Sequence, residues 1–424
     1  MSTFKKETQA LHAGHDVELT QGTRAVPIYQ TSSYVFDNSD QAANRFNLTE
    51  NGYIYTRLNN PTNDVLEQRL ATIEGGIGAV VTSSGTAAIA TTFLTLLKQG
   101  DHIVASSSLY GGTFNLLKVT LKRFGISTTF VNFDHPEDIQ EAIDNNTRAI
   151  FCESLGNPKL DVVDLRRISS IAKKNNLPFI VDNTIASPAL INPIDHGADI
   201  VIHSLTKYIN GNGTALGGII IDAGKFNWDN GKFPEFTEPS AGYHGLRYWE
   251  VLGNASFIAK VRIEGLRDLG SSLSPFNAFQ ILQGLETLEV RVQKHSQNAL
   301  KLAKWLEQHD LVEWVNYPGL PSSRYYELGQ EYLPKGQNGL ITFGAKGGFE
   351  SAKKISNTTQ LFSLVANIGD TKSLIIHPAS TTHQQLSTQE LKNIGISDGL
   401  IRLSVGLENI EDLKNDLDQA LQSI

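Results

Sequence analysis

Lys207 stands in the stretch Val201-Ile-His-Ser-Leu-Thr-Lys-Tyr208, among residue types that amine chemistry needs. A primary amine condenses with an aldehyde. Burial lowers its pKa, so it serves first as nucleophile and then as proton carrier. Ser204 and Thr206 put two short hydroxyl donors beside it, which suits a phosphate. A glycine-rich turn follows, Asn210-Gly-Asn-Gly-Thr-Ala-Leu-Gly-Gly218. Lys207 is therefore a candidate for a Schiff base with pyridoxal phosphate. The plainer alternative is an ordinary lysine at a strand end.

Other positions offer matching chemistry. Pro178-Phe-Ile-Val-Asp182 runs apolar into a carboxylate. In parallel α/β sheets ligands sit beyond the carboxyl ends of the strands, and an aspartate there can hold a pyridinium nitrogen protonated; capping a loop is the alternative. Ser83-Ser-Gly85-Thr86 lies between a short apolar run and an apolar helix. That order aims backbone N–H groups and the helix dipole at an anion, or else makes a plain tight turn. Tyr110 at a strand mouth lies against a planar ring or simply packs. Tyr55 and Arg57, two apart in an extended segment, face the same way, and the arginine fork suits phosphate; a surface pair is the alternative. Asn157 sits in a polar loop at a strand end. Arg402 lies inside the apolar run 399–405, where it needs either a substrate carboxylate or a buried Asp or Glu.

The elements that must position these residues alternate. Residues 63–74 read as a helix stopped by Gly75-Gly76. Strands at 78–82, 102–105, 127–132, 148–153, 178–182 and 199–203 alternate with helices at 85–97, 110–124, 136–143 and 164–174, the last with Asp164 as N-cap. A second apolar run, 217–221, follows the lysine. Residues 1–60 are polar and aperiodic, an extended arm suited to packing on a partner subunit. Residues 222–252 form a long glycine- and aromatic-rich loop, a length that is usually functional. A helical stretch over 277–306 leads to a last domain. That gives an arm (1–60), a large domain (61–270) and a C-terminal domain (271–424).

Bulk properties exclude several classes. The 424 residues carry a net charge of −8, with 40% apolar and 19% charged residues. This is the profile of a soluble globular protein, with no basic footprint for nucleic acid or an anionic membrane. No run reaches the eighteen or so apolar residues of a membrane span, and the first residues lack a signal-like apolar stretch. The single cysteine, Cys152, excludes an intramolecular disulfide and a cysteine-built metal site. The expectation is a cytoplasmic protein.

Taken in order, Val181-Asp-Asn-Thr184, His203-Ser-Leu-Thr-Lys207 and Leu400-Ile-Arg-Leu-Ser-Val-Gly-Leu-Glu408 resemble the Cys/Met-metabolism family of pyridoxal-phosphate enzymes over essentially the whole chain. The segment 233–248 with Tyr243-His-Gly245, the Gly213-Thr214 after the lysine, and the run 276–288 resemble its sulfhydrylase branch. The resemblance implies a PLP-dependent transferase type I (aminotransferase-like) α/β fold. That fold has a mainly parallel central sheet with helices on both faces, and a smaller α/β C-terminal domain. It implies pyridoxal 5'-phosphate on Lys207, Asp182 at the pyridinium nitrogen and Tyr110 stacked on the ring. Gly85, Thr86, Ser204 and Thr206 would hold the phosphate, with Tyr55 and Arg57 reaching it from a neighbouring subunit of a homotetramer. Asn157 would contact the ring hydroxyl oxygen. Arg402, helped by Ser373, would bind the substrate α-carboxylate. The implied reaction is γ-replacement of O-acetyl-L-homoserine by sulfide. A cystathionine γ-synthase, a γ-lyase or an O-succinylhomoserine enzyme would use the same site. Two residues depart from the pattern: Thr86 stands where relatives often carry Gln or Met, and Asn212 where sulfhydrylases often carry His. A non-catalytic cofactor-binding protein conflicts with the complete set of Lys207, Asp182, Tyr110 and Arg402. A nicotinamide enzyme conflicts with the lack of a GxGxxG after a strand.

Overall fold

The computed structural model describes residues 4–381 and 397–424. Its strands are β1 (Gly78–Thr82), β2 (His102–Ser106), β3 (Ser127–Val131), β4 (Thr147–Glu153), β5 (Phe179–Asp182), β6 (Ile200–Ser204), β7 (Gly218–Asp222), β8 (Val312–Asn316), β9 (Leu340–Ala345), β10 (Ser363–Leu364), β11 (Leu374–Ile376) and β12 (Leu400–Ser404). The chain divides into two compact units.

The first unit comprises Met1–Lys98, Asp199–Thr206 and Thr214–Glu286. Here β7 pairs antiparallel with both β1 and β6. The Pro61–Glu74 helix is capped by Asn60, which accepts from the Thr62 N–H, and ends at Gly75 with φ 83. Only glycine adopts that left-handed conformation without penalty. The first sixty residues are not wholly extended. They hold two helices, Lys6–His12 and Ser39–Phe46. Asn38 Oδ1 accepts from the Gln41 N–H at 2.8 Å, while Gln41 Oε1 accepts from the Asp37 N–H at 2.9 Å. This reciprocal capping starts a helix in a segment without apolar periodicity. In the long aromatic loop, Trp228, Phe233 and Phe236 are buried. Trp228 stacks on Phe236 and Phe257 at 4.4 and 5.4 Å between centroids. These rings are a small core that anchors the loop, whereas His244 and Gly245 are exposed with φ 52 and 81.

The second unit comprises Gln99–Ala198, Lys207–Gly213 and Thr287–Ile424. Strands β3, β2, β4 and β5 run parallel in that order; β2 and β5 are buried throughout, and β4 is buried except at half-buried Arg148. Parallel strands covered on both faces read as continuous apolar runs, as these do. A second sheet has the order β10-β11-β12-β9-β8. Its core includes Ile341, Phe343, Ile401, Leu403 and Leu417. Asp164 caps the Leu165–Lys174 helix through the Arg167 N–H, as expected. The helix expected over 110–124 is instead a short α turn, a π turn and a 3-10 turn that ends at Gly125. The expected 277–306 helix is two helices, Pro275–Leu285 and Leu288–Glu307, broken at Glu286 and Thr287.

Candidate active site

In the second unit, Lys207 opens a turn closed by the Gly211 N–H donating to the Lys207 carbonyl at 2.8 Å. Its Nζ donates to Asn367 Oδ1 at 2.6 Å. The Asn367 main-chain carbonyl in turn accepts from Arg402 Nη2 at 3.3 Å, and Arg402 Nη1 donates to Asn157 Oδ1 at 3.1 Å. One asparagine thus links the amine to the guanidinium. Burial, and then Arg402, lower the Lys207 pKa from 10.5 to about 8. Burial lowers that of Arg402 to about 10. Among the described residues no carboxylate pairs with Arg402, so the buried Asp or Glu alternative is not what the strand carries. Its partners are two amide oxygens, which leaves a buried cation suited to an anionic ligand.

Asp182 ends β5 and faces Glu153, the last residue of β4, in parallel register. Asp182 Oδ1 accepts from the Thr184 N–H at 3.0 Å and from Thr184 Oγ1 at 2.5 Å. Such bonds favour the ionised carboxylate. Glu153 Oε1 accepts from the Tyr110 N–H at 2.6 Å. Burial and then Asp182 push its pKa well up. Tyr110 itself is half exposed, and any Cβ at residue 112 would run into its ring, so Gly112 is the floor on which the ring lies. Ser373 is fully buried. Its Oγ donates to Glu408 Oε2 at 2.8 Å and accepts from the Gly406 N–H at 2.8 Å. It therefore braces the backbone after β12.

In the first unit, Ser84 caps the Gly85–Leu96 helix by accepting from the Ala87 N–H at 3.1 Å, and its carbonyl takes the Ala88 N–H. Gly85 and Thr86 are the first two residues of that helix, positions whose main-chain N–H groups have no partner within a helix. A Cβ on Gly85 would come within 2.6 Å of Ser204 Cβ, so glycine is needed for the helix start to approach the end of β6. Thr206 Oγ1 accepts from the Gly217 N–H at 3.1 Å and donates to its carbonyl at 3.3 Å. Tyr55 and Arg57 are both exposed. They share a side, but not through an extended segment: the Leu58 N–H turns back to the Tyr55 carbonyl at 2.8 Å, and the guanidinium lies 5.1 Å from the Tyr55 ring centroid.

Residues 7–422 match the model of the Cys/Met metabolism PLP-dependent enzymes. The chain belongs to that family. It is 54% identical to an O-acetyl-L-homoserine sulfhydrylase of Leptospira meyeri, over 99% of this chain and 97% of that one. It is 49% identical to a homocysteine synthase of Schizosaccharomyces pombe, over 98% of each. The fold matches, with a TM-score of 0.96, a crystal structure described as an O-acetylhomoserine (thiol)-lyase of Campylobacter jejuni that carries a pyridoxyl-lysine monophosphate. That match is 48% identical and covers 99% of this chain and 100% of that one. The type I fold expected from the sequence is the fold of this PLP-dependent enzyme.

The residues present fit the cofactor. An aldehyde needs an unprotonated amine, and Lys207 is depressed to about 8. A phosphate needs donors, and Gly85 and Thr86 offer main-chain N–H groups. A ring nitrogen needs a carboxylate, and Asp182 presents one at the end of β5, its Oδ1 oriented by the Thr184 N–H and hydroxyl. Sequence reading missed Asn367 and Glu153. Glu153 had a signal, since it ends an apolar strand as Asp182 does. Asn367 had none, because it lies 160 residues from Lys207 in an aperiodic loop.

Proposed function

We propose that this enzyme catalyses γ-replacement: O-acetyl-L-homoserine and sulfide give L-homocysteine and acetate. The observation that carries the reading is the chain Lys207–Asn367–Arg402–Asn157, which sets a deprotonable amine beside a carboxylate receptor. The names of the relatives support the substrate pair. Bound pyridoxal phosphate supplies the electron sink for the pairs left when protons depart from the substrate carbons.

The chain's own residues do the rest. Arg402 takes the α-carboxylate with its fork, in exchange for the amide oxygens of Asn157 and Asn367. That fixes Cα against Lys207. The lysine amine, held by Asn367, removes the Cα proton and later returns it. A Cβ proton also leaves, and acetate departs from Cγ with the bonding pair. Sulfide then adds at Cγ, and protons return to Cβ and Cα. Asp182 would hold the ring nitrogen, Tyr110 would cover the ring face, and Asn157 would contact the ring hydroxyl oxygen. Gly85, Thr86, Ser204 and Thr206 would hold the phosphate, and Tyr55 and Arg57 would reach it from a neighbouring subunit. Ser373 supports Arg402 through the backbone it braces.

The same proposal makes the enzyme a cytoplasmic homotetramer with an arm (1–60), a cofactor domain (61–270) and a C-terminal domain (271–424). Exposed apolar residues along the arm, among them Leu19, Val35 and Phe46, support cover by a second copy. Among the described residues no helix is long and apolar enough to cross a membrane.

An end-point assay on cofactor-loaded protein tests the activity. O-acetyl-L-homoserine is offered with sulfide and, separately, with L-cysteine, and homocysteine is resolved from cystathionine. Homocysteine with little cystathionine is expected. Dominant cystathionine moves the enzyme to a γ-synthase. No product from either, but product from O-succinyl-L-homoserine, changes the acyl group.

A further inference from the structure

Of the four polar side chains that the Leu288–Glu307 helix buries, Arg291, His295 and Asn298 stand at positions i, i+4 and i+7. That spacing puts them on one face. Each is directed at backbone. Arg291 Nη1 donates to the Tyr208 carbonyl at 2.7 Å and Nη2 to the Ile209 carbonyl at 3.2 Å, while Nε donates to Thr287 Oγ1 at 3.1 Å. His295 Nδ1 meets the Val405 carbonyl at 2.6 Å, so that nitrogen carries the proton. Asn298 Nδ2 donates to the carbonyls of Gly406 and Glu408 at 3.0 and 2.9 Å.

The contacts fall in two places that matter. Arg291 grips the two residues immediately after Lys207. Its guanidinium fills the space where a Cβ on Gly211 would sit, and Gly211 has φ 73. His295 and Asn298 grip the chain three to six residues after Arg402. Burial lowers the His295 pKa to about 4, so the ring stays neutral and its donor is constant near neutral pH. Its ring also stands edge-on to Tyr208 at 5.3 Å. A helix is a rigid ruler with a rise of about 1.5 Å per residue.

We propose that Arg291, His295 and Asn298 are positioning residues that use one helix face to set the spacing between the Lys207 amine and the Arg402 guanidinium. Arg291 governs the amine end and Asn298 the carboxylate end. The inference rests on the proposed roles of Lys207 and Arg402.

The two ends separate kinetically. Arg291→Lys keeps the charge and loses the fork. Its kcat should fall about tenfold or more, with KM for O-acetyl-L-homoserine within about twofold. The pH midpoint of the cofactor–lysine absorbance band should move as well. Asn298→Ala should instead raise KM about tenfold with kcat within about threefold, and weaken binding of unreactive glycine, followed by absorbance, by a similar factor. Should Arg291→Lys not fold, Arg291→Gln carries the same readouts. Variants that melt earlier, yet keep wild-type kcat, KM, band midpoint and glycine affinity in the folded protein, would reduce the three residues to structural support and overturn the proposal. Wild-type protein that makes no homocysteine sinks the activity alone, since the band midpoint and glycine affinity still test the spacing.

Discussion

Lys207 and the Tyr55–Arg57 pair are held in opposite ways. The lysine turn is fixed from several directions: Gly211 closes it, Arg291 grips its carbonyls, and the Thr371 N–H donates to the Gly211 carbonyl at 2.8 Å. Asn367 takes the amine itself. Tyr55 and Arg57 are exposed, and the ring–guanidinium contact is what holds them to each other. Buried, multiply bonded positions store pre-organisation. Exposed pairs add little to stability in their own protomer. The difference fits the proposed roles, proton chemistry for the first region and an accessory grip for the second.

The largest break comes from Lys207→Met. Turnover should fall by about a thousandfold or more, because nucleophile and proton carrier are lost together. The same variant tests whether the turn is strained by its charge. With the folded pKa near 8 and the ordinary lysine value of 10.5, the unfolded chain binds the proton that the folded chain has released between those pH values. Stability of the cofactor-free protein should therefore rise with pH across that window. At pH 7 cofactor-free Lys207→Met should melt above wild type by about 2–4 °C, and the gap should close toward the upper end of the window. A gap that does not change with pH would mean the lysine is not depressed.

How much of this was legible follows from sequence distance. Strand β1 covers the apolar run 78–82, and β4, β5 and β6 deliver Glu153, Asp182 and Ser204 at their carboxyl ends, because buried strands leave a local signal. The small residues Ser84 and Gly85 announced a helix start through their own chemistry. Asn367 and Arg291 were silent, since their partners lie 160 and 83 residues away. Helix continuity was also overread. The apolar pattern runs through Glu286 and Thr287, yet the Glu286 N–H returns to the Leu282 carbonyl and the backbone then leaves the helical region at Thr287, with φ −111 and ψ 8. The arm's capping residues at 37–41 were readable and went unread beside its missing periodicity.

Asn367→Ala sharpens the comparison at intermediate size. Its Oδ1 favours the ammonium form, so removal should lower the Lys207 pKa further, and the acidic limb of the kcat profile should move to lower pH. The freed amine should also lose orientation, at a cost of about tenfold in kcat at the optimum. Asn367→Asp should move the limb the other way, since a carboxylate favours the ammonium more strongly. Profiles that superimpose on wild type would show that the amine does not use this partner during turnover.

Arg57→Lys should give the smallest effect, and its character matters more than its size. The substitution keeps the charge but loses the fork and the flat face over Tyr55. If the pair grips the phosphate from a neighbouring subunit, cofactor affinity should weaken about three- to tenfold, while the melting temperature of the cofactor-free protein stays within about 1 °C. Lys207 chemistry is untouched, so kcat at saturating cofactor should stay within about twofold. Titration of cofactor-free protein with pyridoxal phosphate, followed by absorbance, measures the first quantity, and thermal denaturation the second. A lower melting temperature with unchanged cofactor affinity would make the pair structural and erase the contrast with the lysine turn. A fall in kcat at saturation would move the pair into the chemistry itself.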